Sequence, residues 1–268
     1  MELLHYFEPV ATEVLKDCDK FNKAPLSGVI QINSFANPLS SLEGIDVVIL
    51  GVPEERHSFN KGCGFAPDVI RKYLYQLSAF EKNTIADLGN IKSGNTVQDT
   101  YIAVRDVITE LISNEIVPVL IGGSQDITYA AFQGFEKLEQ TVNLVTIDAR
   151  FDLGDVNDPV NSNNYLSKII TQKSSCLFNV TNLGYQVYYV PQEEIDLMKN
   201  ILFDYNRLGF VQADIREAEP SLRDANMVSI DISSVRQSDA PGHFFPSPNG
   251  FYGEELCQLC RYAGISDK

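Results

Sequence analysis

Three aspartates mark the place where this chain could do chemistry. Asp148 and Asp152 close one apolar run with a D-x-x-x-D spacing, and Asp231 closes another. Carboxylates converging from strand ends can hold a metal ion, or divide general-acid and general-base work between them. Each can also cap a helix or turn, because a short carboxylate reaches backbone amides close by in sequence. Three at neighbouring strand ends favour a shared polar site over three separate caps.

Five short runs rich in Val and Ile must position these groups. They are DVVILGV (46–52), VPVLIGG (117–123), NLVTIDA (143–149), GFVQADI (209–215) and MVSIDIS (227–233). Runs that are apolar on both faces predict strands of a buried parallel sheet. Between them lie helical patterns such as Asp99 to Glu115, where Ile102, Val107, Leu111 and Ile112 can share a face. The alternation predicts a three-layer α/β/α architecture with a mostly parallel sheet. Ligands of such sheets gather beyond the carboxyl ends of the strands. The segments GGSQD (122–126), DARFD (148–152) and SIDIS (229–233) lie at those ends.

Bulk properties narrow the function classes. At 268 residues, with 44% hydrophobic and 10% aromatic residues, the chain can bury a substantial core. A net charge of -15 argues against nucleic acid, which needs clustered Lys and Arg, and against an anionic membrane surface. No basic segment followed by a long apolar stretch opens the chain, and no run reaches membrane-spanning length. Five cysteines (Cys18, Cys63, Cys176, Cys257, Cys260) are an odd number, thinly spread. Reduced thiols in a cytoplasm fit them better than a disulfide framework.

The motifs around the aspartates resemble the ureohydrolase family of arginases, agmatinases and formimidoylglutamases. That family carries G-G-D-H-S, D-A-H-x-D and S-x-D-x-D in this order, the last followed by A-P-G. Here they stand as Gly122-Gly123-Ser124-Gln125-Asp126, Asp148-Ala149-Arg150-Phe151-Asp152 and Ser229-Ile230-Asp231-Ile232-Ser233, with Ala240-Pro241-Gly242 downstream. Gly62, Gly64, Pro67 and Arg71 resemble the family's first loop, and Asp87-Leu88-Gly89-Asn90-Ile91 is also similar. The resemblance runs from about residue 45 to 253 and leans toward the formimidoylglutamase branch. It implies an arginase-like domain over 45–268, with 1–44 an N-terminal extension or cover. It also implies oligomers, since relatives often assemble. The family continues with one more strand and a closing helix, which match nothing here; a C-terminal strand and helix are expected to be missing.

The resemblance further implies a two-manganese centre held by two His and four Asp. Asp148, Asp152 and Asp231 are kept, while Gln125, Arg150 and Ser233 stand at three other ligand positions. A glutamine offers only a neutral amide oxygen, and a serine hydroxyl is a weak ligand unless deprotonated. A guanidinium has no lone pair and is always charged. We expect Arg150 to pair with Asp148, Asp152 or Asp231 and replace the missing positive charge. The rival arrangement turns Arg150 outward and leaves one ion on Asp148, Asp152 and Asp231.

Without metal, the bridging water would keep its bulk pKa and the family reaction would stop. The family's proton-shuttling His also has no counterpart in the stretch after Asp152. The expected function is therefore an inactive family member with a binding or assembly role, with no cofactor and an unknown protein partner or itself as partner. The alternative is an active manganese-dependent ureohydrolase cleaving a guanidino or formimino C–N bond. His243 is expected at the surface, and the pair Cys257 and Cys260 on a buried helix face.

Overall fold

The computed structural model describes every residue except Met1, Asp17, Asp19, Phe21, 80–83, 173–175, Asp267 and Lys268. The chain divides into two compact units, Met1–Leu138 and Glu139–Lys268.

The first unit runs β1 (Phe7–Glu8), α1 (Thr12–Leu15), β2 (Gln31–Ile32), β3 (Val47–Val52), α2 (Ala66–Leu74), β4 (Ile85–Ile91), α3 (Val97–Ser113), β5 (Val117–Gly122) and α4 (Ile127–Lys137). Strand β3 is central and pairs in parallel with β4 and β5; β1 joins β4 antiparallel and β2 joins it in parallel. Val48, Leu50 and Val52 are fully buried on one face of β3 and Ile49 is buried on the other. Coverage of both faces explains why the run carries no alternating polar residue. Helix α3 starts at a capping box in which Thr96 and Asp99 satisfy each other's backbone amides. Val107 and Leu111 are buried on it as the spacing predicts, together with Val104 and Ile108. Ile102 is 38% exposed and lies off that face.

The second unit runs β6 (Val142–Ile147), α5 (Tyr165–Thr171), β7 (Leu177–Tyr185), α6 (Gln192–Asn200), β8 (Asp204–Arg207), α7 (Leu208–Ala213), α8 (Glu219–Arg223), β9 (Met227–Ile230) and α9 (Gly253–Ala263). Its sheet has the order β8-β7-β6-β9 and is parallel throughout. Gly184, at φ +105° in β7, is where the Phe251 ring crosses; a Cβ there would sit 2.4 Å from a ring carbon. The core joins Val145, Ile147, Leu183, Leu208, Val211 and Leu259 around that ring.

One sequence expectation changes. The run 209–215 is helix α7 rather than a strand, because Leu208 and Val211 point inward at helical spacing while Phe210 is 57% exposed. The paired strand is the polar segment before it, Asp204–Arg207, whose place is set by its ladder to β7. The mostly parallel pairing predicted for the strands is found within each unit. Among the described residues β5 pairs only with β3 and β9 only with β6, so each ladder ends at an edge. No helix of the described residues is long and apolar enough to cross a membrane.

Candidate functional site

In the second unit the carboxyl ends of β6 and β9 lie side by side. Asp231 N–H donates to Ile147 O at 3.0 Å, and Asp148 N–H donates to Leu183 O at 3.1 Å. Asp148 and Asp231 therefore occupy neighbouring strand ends, where parallel sheets place ligands. The turn that follows is built by Asn182, a fully buried residue that sequence reading missed. Its amide donates to Thr146 Oγ1 at 3.1 Å and to Arg150 O at 3.1 Å, and its Oδ1 accepts from Tyr185 N–H at 3.2 Å. A buried amide makes this many bonds only where it holds irregular backbone in place. Phe151 anchors the other side, its ring 5.0 Å from that of Tyr185 and 5.9 Å from that of Tyr205. Beyond it Asp152 takes a left-handed conformation at φ 54°, which asparagine and aspartate tolerate better than most residues.

Among the described residues no cation forms an ion pair with the three carboxylates, although the charge of Arg150 acts on Asp152. Asp148 Oδ1 accepts from Arg150 N–H at 2.9 Å, while its buried Oδ2 has no partner among the described residues. Burial, and then the charges of Asp152 and Asp231, push the Asp148 carboxyl well above the usual carboxylate range. Burial and the Asp231 charge push Asp152 up to about 8. Asp231 caps the short 3-10 turn Ile232–Ser234, its Oδ1 accepting from Ser233 N–H at 2.6 Å. Ser233 is buried beside it.

Arg150 does not supply the missing charge by pairing, contrary to expectation. No ion pair joins it to Asp148, Asp152 or Asp231 among the described residues. Its guanidinium instead lies over the rings of Tyr189 and Phe245, 4.3 Å from each centroid. The physical reason is desolvation. Burying a guanidinium against carboxylates strips water from both, whereas two aromatic faces hold it and leave its edge accessible. Glu194, half-buried, lies near this clamp; burial raises its carboxyl and Arg150 opposes the shift.

Two further expectations are corrected. His243 is only 8% exposed, and neither ring nitrogen has a partner among the described residues. Burial lowers its pKa while the Asp231 charge opposes. Cys257 and Cys260 are both exposed, because Leu259 is the residue that α9 turns into the core.

The remaining ligand position, Gln125, belongs to the first unit, in the loop between β5 and α4. Gly123 in that loop lies so close to the backbone of Glu54 that a Cβ would sit 2.1 Å from the Glu54 carbonyl oxygen, which explains the second glycine of the motif. Asp126 next to it is fully buried and accepts a hydrogen bond from the Tyr101 hydroxyl. Arg71 and Asp87, both from the motifs of this unit, form a closed internal pair. Arg71 Nε donates to Asp87 Oδ2 at 2.8 Å and Nη2 donates to Asp87 Oδ1 at 2.9 Å.

Among the described residues no three His, Cys, Asp or Glu are grouped to hold a metal ion. Two of the aspartates of the second unit also spend an oxygen each on backbone amides.

The sequence pattern of the Arginase family matches residues 45–267. The formimidoylglutamase of Bacillus subtilis is 22% identical over 256 residues, covering 86% of this chain and 80% of its own. That of Macrococcus caseolyticus is 30% identical over 241 residues, covering 82% of this chain and 73% of its own. Among solved structures, an arginase superfamily protein from Trypanosoma cruzi superposes with a TM-score of 0.79 at 17% identity, covering 90% of this chain and 85% of its own. The B. subtilis formimidoylglutamase structure gives 0.76 at 20% identity, covering 89% and 79%. The match spans most of the chain and includes all three strand-end motifs, so this protein belongs to the arginase family and has its α/β fold.

Proposed function

We propose that this chain is a formimidoylglutamase-like member of the arginase family that does not hydrolyse C–N bonds and acts by binding. The single observation behind this reading is the Arg150 side chain. A permanent cation, held by two aromatic rings next to the acidic turn, stands where the family motif has a metal-ligating histidine. It gives no lone pair and repels a divalent ion. The substitution of Gln125 and Ser233 at two further ligand positions supports the same reading. Without a metal to lower its pKa, water near these aspartates is a poor nucleophile at neutral pH.

The test is turnover by the purified chain with stoichiometric and millimolar manganese, offered formiminoglutamate, arginine, agmatine and guanidino acids. The expected outcome is no release of formamide, ammonia or urea above background. Steady metal-dependent turnover would overturn the proposal. It would favour the second reading, an active ureohydrolase with an altered centre. That reading draws on the convergence of Asp148, Asp152 and Asp231 and on the relatives named formimidoylglutamase and agmatinase.

A further inference from the structure

The Arg150 clamp has a property that a merely structural arginine lacks. Its guanidinium carbon lies over two aromatic rings, 4.3 Å from the centroids of Tyr189 and Phe245. The main-chain N–H and carbonyl of Arg150 are engaged by Asp148 and Asn182. Yet none of the side-chain N–H groups meets an acceptor among the described residues. Five donors lie in one plane, and the two ring contacts hold the guanidinium that carries them. A planar fork of this kind matches the two oxygens of a carboxylate, bound edge-on by parallel N–H···O bonds. Arg150, Tyr189, Phe245 and Glu194 are all partly exposed.

We propose that Arg150 is the recognition residue of a small-carboxylate site, in which a monocarboxylate lies edge-on to the guanidinium held over Tyr189 and Phe245. The surroundings set the charge of the ligand. Glu194 lies close enough to act on Arg150, and Asp152 is two residues away. The chain as a whole carries -15. A polyanion such as phosphate meets that field at full strength, whereas a monoanion is repelled least and still satisfies the fork. A cationic ligand of the guanidino type is repelled by Arg150 itself. This inference rests on the non-hydrolytic reading above, since a side chain that holds a carboxylate cannot also vacate a metal position.

The experiment follows the Arg150 Nε–Hε resonance of the 15N-labelled full chain at neutral pH, during titration with sodium propionate, inorganic phosphate or agmatine. Propionate is expected to shift that resonance downfield and saturate in the millimolar range, while phosphate and agmatine leave it in place. By calorimetry, Arg150→Gln is expected to weaken propionate at least tenfold. Arg150→Lys should weaken it nearly as much, because an ammonium keeps the charge and loses the fork. Glu194→Gln removes a competing charge that acts on Arg150 and is expected to tighten binding several-fold, an effect that a purely structural arginine would not produce. An unmoved Nε–Hε signal, a preference for phosphate or agmatine, or unaltered binding by Arg150→Gln would overturn the proposal. Manganese-dependent hydrolysis would remove the reading beneath it, whereas absent hydrolysis with absent propionate binding would remove this inference alone.

Discussion

Arg71 and Arg150 both lie beside aspartates in motif segments, and they are treated in opposite ways. In the first unit Arg71 and Asp87 are completely buried and meet in a bidentate pair. The remaining capacity of the pair is also used. Arg71 Nη2 donates to Gly89 O at 2.9 Å, Tyr75 hydroxyl to Asp87 Oδ2 at 2.8 Å, and Gly89 N–H to Asp87 Oδ1 at 2.9 Å. In the second unit Asp148 keeps an oxygen with no partner among the described residues, and the arginine turns to aromatic rings. The first arrangement is a closed network whose value lies in holding β4 and α2 together. Among the described residues the second leaves one Asp148 oxygen and the Arg150 side-chain N–H groups without partners, which is how a site differs from a brace.

The sharpest way to break this comparison is to remove one partner of the closed network. Arg71→Ala or Asp87→Asn leaves a buried group uncompensated and is expected to cost ~3–5 kcal/mol, enough to prevent folding of a marginal domain. Urea denaturation followed by circular dichroism measures it, which suits a chain without tryptophan. A cost under about 1 kcal/mol would mean that the first unit does not depend on the network.

The open site should behave differently with pH. The Asp148 and Asp152 carboxyls have folded-state pKa values raised above the ordinary 3.8, Asp152 to about 8. A raised carboxyl stabilises the fold fully below its unfolded value and loses that contribution as pH rises through the folded one. Stability is therefore expected to fall between about pH 4 and pH 8, by ~1.4 kcal/mol per pH unit for each net proton released. Asp152→Asn, which cannot ionise, should flatten this slope and raise the melting temperature at pH 8. An unchanged pH profile in that variant would place the aspartates outside any charge conflict.

The smallest effect is expected at Arg150. Loss of two cation–π contacts at a partly exposed position costs only ~0.5–2 kcal/mol, so Arg150→Ala should fold and melt near the parent chain. A loss comparable to that of Arg71→Ala would make the two arginines equivalent and end the contrast.

Much of this was legible in the sequence. The strand-end positions of Asp148 and Asp231 follow from the apolar runs they close. The exclusion of Arg150 as a ligand follows from guanidinium chemistry alone. Arg71 and Asp87 were visible as motif residues, although nothing in their spacing announced that they pair. Asn182 gave no signal, because a polar residue inside an apolar strand reads as a weak strand until the carbonyls it serves are in place. The run 209–215 was misread for a related reason: its apolar residues fit either period, and the ladder to β7 settled the matter in favour of 204–207.

What the sequence determined by itself is the set of chemical types near the acidic turn: three aspartates, no neighbouring histidine ligand in the two motifs, and one permanent cation. Only the tertiary structure decided that the cation meets Tyr189 and Phe245 rather than the aspartates, and that His243 is buried and Cys257 and Cys260 are not. Side-chain chemistry is local and is written residue by residue. Its partners come from loops far apart in sequence, and the balance between desolvation and pairing is struck only once those loops are folded together.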